Sequence, residues 1–95
     1  AKELNPKHAG VYFYQGMARS QIGDVLGAAG SFNMCLKYDP ENLTARYNRG
    51  LVLLLIGHTT WALEDFETIL QSNPSHIEAL ARRGHAKIRL QDPSG

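Results

Sequence analysis

The sequence has little cysteine, little net charge and no long apolar segment. Its 95 residues include one cysteine, Cys35, so no disulfide can form within the chain, and a cysteine-rich zinc site is excluded. Ten Lys and Arg oppose nine Asp and Glu, and the resulting net charge of +1 makes nucleic acid and anionic membranes poor default partners. The longest apolar run, residues 51–56, is far shorter than the roughly 20 residues that span a bilayer. We therefore expect one small core in a cytoplasmic setting, with no membrane insertion and no nucleic-acid partner.

The N-terminus lacks the features of a targeting segment. Residues 1–6 contain no apolar stretch of signal-peptide length, and Ala1 stands where a complete chain begins with Met. We expect the sequence to be part of a longer protein.

A 34-residue period organises the chain. Three glycines and three prolines recur at this spacing: Gly16, Gly50 and Gly84, and Pro6, Pro40 and Pro74. Residues 9–42 aligned with 43–76 also match at Ile22/Ile56, Gly23/Gly57, Ala28/Ala62, Phe32/Phe66 and Leu36/Leu70. Together with Gly16/Gly50 and Pro40/Pro74 these make seven identities, where average residue usage gives about two by chance. A fixed period of this length is typical of a solenoid of repeats rather than of a generic helical bundle.

Each repeating unit is predicted to contain two helices. In the first, apolar residues recur at helical spacing, at Val11, Tyr12, Ala18 and Ile22. A break at residues 23–24 follows, with Asp24 as the N-cap of a helix over 25–38 that ends at Asp39 and Pro40. The second unit predicts helices over 43–56 and 60–71. A fifth helix, over 77–90, is predicted to begin with a capping box of Ser75 and Glu78.

The repeated small residues predict close helix packing. Gly16 and Gly50 each cost about 1 kcal/mol inside a helix, and close approach of the partner helix is the usual compensation. Ala28 and Ala62 are expected at the crossing, with the phenylalanines four residues later filling the space between helices. Gly27 and Gly30 predict that the second helix is locally the least stable, and close packing of a neighbouring helix is the alternative explanation for them.

These residues resemble the tetratricopeptide repeat, whose pattern is Trp-x2-Leu-Gly-x2-Tyr, then Ala-x3-Phe, then Pro in 34 residues. The first copy here is Tyr12-x2-Gln15-Gly16-x2-Arg19, Ala28-x3-Phe32, Pro40. The second copy is Arg46-x2-Arg49-Gly50-x2-Leu53, Ala62-x3-Phe66, Pro74. The Gly, Ala, Phe and Pro positions hold in both copies, while the Trp, Leu and Tyr positions differ.

The resemblance implies an all-α fold, a right-handed superhelical α-solenoid of antiparallel helix pairs with about five helices. Its units are the end of a preceding repeat (1–7), repeat 1 (8–41), repeat 2 (42–75), the first helix of a third repeat (76–91) and a tail (92–95). Terminal repeats of such solenoids need polar caps, and this sequence has none at its C-terminal end. We therefore expect Leu80, Ile88 and Leu90 to be exposed, which favours self-association through uncapped ends.

No arrangement of reactive side chains matches a catalytic, metal or cofactor motif. There is no pair of histidines on one helical face, no glycine-rich phosphate loop and no nucleophile elbow. Cys35 is expected to be a buried, inert core thiol. Glu64, Asp65 and Glu67 are expected to form a solvated acidic face. We predict that the protein is not an enzyme and uses no metal or cofactor.

The resemblance implies a concave groove lined by the first helix of each unit. The predicted peptide-binding residues are Phe13, Tyr14, Met17, Tyr47, Asn48, Leu51, Arg82 and His85. Phe13, Tyr14, Tyr47 and Leu51 would anchor apolar side chains, while Asn48, Arg82 and His85 would orient the backbone or carboxylates of the peptide. Core packing between adjacent helices is the alternative for Met17, Leu51 and Leu55.

One subset of the family clamps the C-terminal carboxylate of chaperones. It uses a Lys and an Asn from one first-type helix, an Asn from the next, and a Lys and an Arg from the third. Asn48 and Arg82 match two of these positions, whereas Phe13, Met17 and Glu78 stand at the others. With three of the five positions lost, we do not expect a chaperone clamp, and recognition of an acidic peptide would depend on more apolar contacts.

The predicted function is a non-catalytic protein-protein interaction module that binds a peptide segment of a protein partner in the concave groove. The alternative is a structural scaffold that self-associates or assembles a larger complex through convex or end surfaces. Trp61, early in the outer helix of the second unit, is expected to pack over a neighbouring helix. A convex contact site is the alternative for this residue.

Overall fold

The computed structural model describes residues 6–91 and places them in five helices joined by short turns. The helices are α1 (Pro6–Gln21), α2 (Val25–Tyr38), α3 (Leu43–Leu55), α4 (Thr59–Ser72) and α5 (Ile77–Gln91). No strand occurs in residues 6–91, so the predicted all-α class with five helices is confirmed. The predicted bounds of α2 to α5 agree to within one residue at each end. The predicted flanking segments fall largely on residues 1–5 and 92–95, which lie outside the described residues.

Glycines in a left-handed conformation form the turns within each helix pair. Gly23 follows α1 with a φ of +87°, and Gly57 follows α3 with a φ of +89°. A side chain is strained at these φ values, which explains why glycine recurs there. The turn after α1 leads directly to Asp24, whose Oδ1 accepts a hydrogen bond from the Gly27 N–H at 3.0 Å. The predicted N-cap of α2 is therefore confirmed.

The predicted capping box at α5 is wrong. Because α5 begins at Ile77, the residue in the N-cap position is His76, one residue after Ser75. The Nδ1 atom of His76 accepts a hydrogen bond from the Ala79 N–H at 3.1 Å. An imidazole nitrogen thus satisfies the helix terminus in place of the predicted serine hydroxyl.

Each helix packs mainly against the next one in the chain. A Cβ atom built on Gly16 would lie 2.7 Å from Cε1 of Phe32, and one built on Gly50 would lie 2.7 Å from Cε1 of Phe66. Both phenylalanines are fully buried, as are Ala28 and Ala62. The close approach predicted from the glycines is confirmed, and the contacting group is the phenyl ring.

Apolar residues at the two ends of the described chain are exposed. Val11 and Ile22, which were part of the helical pattern of α1, are 62% and 80% exposed because α1 packs mainly on α2. Leu80, Ile88 and Leu90 of α5 are also exposed, as predicted. The core lies instead in two clusters, one along α1, α2 and α3 and the other along α3, α4 and α5.

Candidate functional site

A groove lies between α3 and α5. It consists of two adjoining cavities of about 370 and 410 Å³ that share Arg82 and His85. Its lining residues are Tyr47, Leu51, Leu54, Leu55, Glu78, Ala81, Arg82, His85 and Arg89. We refer to this surface as the α3–α5 groove.

The polar part of the α3–α5 groove is organised around Tyr47. Its ring packs on Phe66, with centroids 5.9 Å apart, and on His76, at 5.7 Å. The Tyr47 hydroxyl accepts a hydrogen bond from Nε of Arg82 at 3.4 Å. This contact joins α3 to α5 and leaves the outer nitrogens of the guanidinium without a protein partner among the described residues.

The apolar part of the groove is a leucine floor beside cationic side chains. Leu54 is buried, Leu51 is half-buried and Leu55 is 71% exposed. The side chains of Arg82, His85 and Arg89 line the same cavity. An apolar floor with two guanidinium groups beside it can hold an apolar side chain and a carboxylate together.

Four of the predicted binding residues lie together in the α3–α5 groove: Tyr47, Leu51, Arg82 and His85. Asn48 lies on α3 outside the groove lining, and its Nδ2 donates a hydrogen bond to the Thr44 carbonyl at 2.8 Å. The sequence reasoning did not select Leu54 and Ala81, because small or buried residues carry no signal of binding in a sequence.

The three predicted residues on α1 lie apart from this groove. Phe13 and Met17 are half-buried against the core cluster that contains Phe32. This is the core packing that was the alternative for Met17. Tyr14 is 72% exposed and meets the Phe13 ring edge-on at 5.5 Å.

A second cleft lies between α2 and α4, with α3 as its floor. Its volume is about 430 Å³, and it is lined by Ala29, Asn33, Arg49, Leu53, Ile56, His58, Trp61, Glu64 and Asp65. We refer to it as the α2–α4 cleft. Trp61 is 58% exposed at this cleft, with its ring stacked on His58 at 4.9 Å. The predicted packing of Trp61 over a neighbouring helix is wrong, because its ring neighbour is the histidine just before its own helix.

The prediction of a solvated acidic face is wrong for Asp65. This residue is 3% exposed, and its carboxylate accepts hydrogen bonds from Nε and Nη2 of Arg49 at 2.9 and 2.6 Å. Nη1 of Arg46 adds a third contact at 3.5 Å. The bidentate pair satisfies a carboxylate that burial would otherwise destabilise.

In the first unit, the repeat positions equivalent to Asp65 and Arg49 hold a neutral pair. Ser31 lies 34 residues before Asp65, and Gln15 lies 34 residues before Arg49. The Ser31 hydroxyl is buried and donates to Oε1 of Gln15 at 2.9 Å. A polar position that recurs at the repeat period is therefore the sequence signal by which the buried contact at Asp65 could have been found.

Cys35 is fully buried in the core cluster of α1, α2 and α3. Burial raises the pKa of its thiol above the ordinary value, and the nearby Asp39 carboxylate raises that pKa further. A protonated, enclosed thiol is a poor nucleophile. Among residues 6–91, no cluster of three or more His, Cys, Asp or Glu side chains is arranged to hold a metal ion. None of the helices described here has the length and apolarity needed to cross a membrane.

Comparison with solved structures identifies the helix arrangement. The structure of the first TPR of Spaghetti (RPAP3) bound to the HSP90 peptide SRMEEVD superposes with a TM-score of 0.86 and 23% sequence identity. The match covers 96% of this chain and 72% of that one. This chain therefore has the tetratricopeptide-repeat fold. No family model matches the tetratricopeptide-repeat chain.

Sequence relatives of the chain include two DnaJ or J-domain proteins and an FK506-binding protein-like protein. The chain is 30% identical to DnaJ homolog subfamily C member 3 of Homo sapiens, over 77% of this chain and 14% of that protein. It is 33% identical to the tetratricopeptide repeat and J domain-containing co-chaperone DNJ1 of Cryptococcus neoformans, over 74% of this chain and 13% of that protein. It is 31% identical to the FK506-binding protein-like protein of Mus musculus, over 76% of this chain and 23% of that protein. The chain thus spans less than a quarter of the length of these relatives.

Proposed function

We propose that this tetratricopeptide-repeat chain is a protein-interaction module that binds a peptide segment of a partner protein along the α3–α5 groove. The observation that carries the proposal is the joint placement of Arg82, His85 and Arg89 beside Leu51 and Leu55. The fitting ligand is a peptide that presents an apolar side chain to the leucines and a carboxylate to the guanidinium groups.

The comparisons support this class of ligand. The structural neighbour is bound to SRMEEVD, a peptide with three acidic residues beside Met and Val. Two of the relatives are named as J-domain or DnaJ proteins, one of them as a co-chaperone. A partner segment that combines acidic and apolar residues is therefore the first candidate.

The side chains of this groove favour recognition by an apolar residue and one or two carboxylates. Glu78 is the single acidic residue of the lining and disfavours a densely acidic ligand close to Tyr47. Asn48 already donates from its amide to the Thr44 carbonyl. The peptide would therefore lie over Leu51 and Leu55, with its acidic residue at Arg82 or Arg89.

The test is a fluorescence-anisotropy titration of labelled SRMEEVD against the 95-residue chain. We expect Arg82→Ala to weaken binding about ten-fold, because a charge-assisted contact near the groove centre is lost. A peptide with Ser in place of Met and Val should bind more weakly than SRMEEVD by a similar factor. Arg83→Ala is the matched control, since Arg83 is the next residue of α5 but does not line the groove. Equal losses for both arginine variants, or tighter binding of a lysine-substituted peptide, would contradict the proposal.

The alternative function, a scaffold that assembles through other surfaces, is favoured by the exposed Leu80, Ile88 and Leu90. Sedimentation velocity over a range of concentrations separates the two functions. A groove-binding module stays monomeric without a ligand, whereas a scaffold that stacks through its ends forms larger species as concentration rises.

A further inference from the structure

We propose that the α2–α4 cleft is a second binding site, which takes an arginine or lysine side chain of a partner's peptide segment. The cleft lies between α2 and α4, and its lining residues are separate from those of the α3–α5 groove. The proposal therefore stands whether or not the α3–α5 groove binds a peptide.

The first part of the site is the indole of Trp61. More than half of this side chain is exposed, so the indole is accessible to a ligand. The stacked ring of His58 fixes the orientation of the indole at the cleft rim. Tryptophan offers the strongest side-chain surface for a cation, since its ring face carries negative electrostatic potential.

The second part of the site is the carboxylate of Glu64. Glu64 follows Trp61 by three residues on α4, so both side chains lie on one face of the helix. It is exposed and has no ion-pair partner among the side chains that the structure describes. An aromatic ring and an unpaired carboxylate on one wall are complementary to a guanidinium or ammonium group.

The other charged side chains that line the cleft already have protein partners. Arg49 donates to both oxygens of Asp65, and its Nη1 donates to Oδ1 of Asn33 at 2.9 Å. Arg46, which does not line the cleft, contacts the same carboxylate and also donates to the Pro40 carbonyl. The lining carboxylate without an ion-pair partner among the described side chains is therefore Glu64, which favours a basic side chain over an acidic one.

The size of the cleft agrees with this occupant. Its volume of about 430 Å³ lies within the range of pockets that enclose small organic groups. Leu53, Ile56 and Ala29 provide apolar walls for the methylene stem of the basic side chain. The charged end then lies at Trp61 and Glu64.

The sequence contains one tryptophan, so the fluorescence of Trp61 reports directly on this cleft. The probes are acetyl-Gly-Ser-Arg-Ser-Gly-amide and the same peptide with lysine, citrulline or glutamate in place of arginine. We expect a saturable change in emission, with the arginine peptide bound about five-fold more tightly than its neutral citrulline counterpart. Glu64→Gln should abolish that preference. Glu41→Gln removes the same charge at an exposed position outside the cleft and should preserve it.

Four results of the peptide titrations would overturn the proposal. These are equal binding of the arginine and citrulline peptides, tightest binding of the glutamate peptide, no saturable change up to about 10 mM peptide, and retention of the arginine preference in Glu64→Gln. A change in emission with protein concentration alone would also overturn it, since a second copy of the chain would then be the occupant. Anisotropy titrations of labelled SRMEEVD against the same variants measure binding at the α3–α5 groove separately.

Discussion

Three glycines, Gly16, Gly50 and Gly84, occupy one position of the repeat in two different environments. A Cβ atom at Gly16 or Gly50 would lie 2.7 Å from a buried phenyl ring, whereas one at Gly84 would meet nothing within 4 Å. The recurrence of glycine in the sequence therefore has a packing cause at two positions. At the third, among the described residues, it has only a conformational cost.

Alanine substitution should separate these environments. Gly16→Ala and Gly50→Ala should each lower the free energy of unfolding by about 1–3 kcal/mol, because the rings of Phe32 and Phe66 are enclosed and must shift. Gly84→Ala should raise it by up to about 1 kcal/mol through helix propensity. Urea denaturation followed by circular dichroism measures all three. Destabilisation of Gly84→Ala to the extent of Gly50→Ala would show that the phenyl contact is not the cause.

At the scale of helices, the N-termini differ in how they are capped. Side chains of Asp24, Asn42 and His76 accept hydrogen bonds at the starts of α2, α3 and α5. His58 stands at the N-cap of α4 and makes no such bond, and the first turn of α4 has no acidic residue. The helix that carries Trp61 and Asp65 therefore begins without a side-chain cap.

Supplying that cap should stabilise the protein. We expect His58→Asp to raise the free energy of unfolding by about 0.5–1 kcal/mol relative to His58→Ala, since both variants lose the imidazole and only one gains a cap. Asp24→Ala should lower it by about 1 kcal/mol. Thermal denaturation of the three variants is the measurement. Equal midpoints for the two His58 variants would mean that water already satisfies the start of α4.

The positions of the helices could be predicted because the helix ends are determined by residues close to them in the sequence. Gly23, Asp24 and Pro40 act through their own backbone conformation and through neighbours a few residues away. The failures concern contacts that are remote in the sequence. Asp65 is buried because Arg49, 16 residues earlier, reaches it, and Trp61 is exposed because no described helix covers its side of α4.

The same distinction applies to the candidate site. Tyr47 and Arg82 lie 35 residues apart, about one repeat, so the period alone places them on successive first helices. The period cannot tell whether an aromatic residue at such a position turns to the core. Phe13 does so by meeting the Phe32 ring edge-on, with centroids 6.2 Å apart.

At the scale of the whole molecule, each helix is stabilised mainly by packing on its neighbours in the chain. α3 packs on both α2 and α4, whereas α5 packs on α4 and has two buried residues, Ala79 and Ala86. Such one-dimensional stacking lets an end unit open without its neighbours.

Amide hydrogen exchange should therefore be uneven along the chain. We expect the slowest exchange in α3 and the fastest helical exchange in the second half of α5, because fewer contacts must break to open it. Exchange measured by NMR or by mass spectrometry of peptic fragments tests this. Identical protection in α3 and α5 would mean that the described helices open as a single cooperative unit.

The buried thiol of Cys35 makes the junction between the two helix pairs chemically measurable. Cys35 lies on α2 in a cluster with Ala45 and Val52 of α3, and Nδ2 of Asn42 donates to its sulfur at 3.8 Å. An alkylating reagent can reach it only while this cluster of α1, α2 and α3 is open. The rate of modification in the native protein therefore reports how often the cluster opens. It needs no added label, because the sequence supplies one sulfhydryl and places it at the joint.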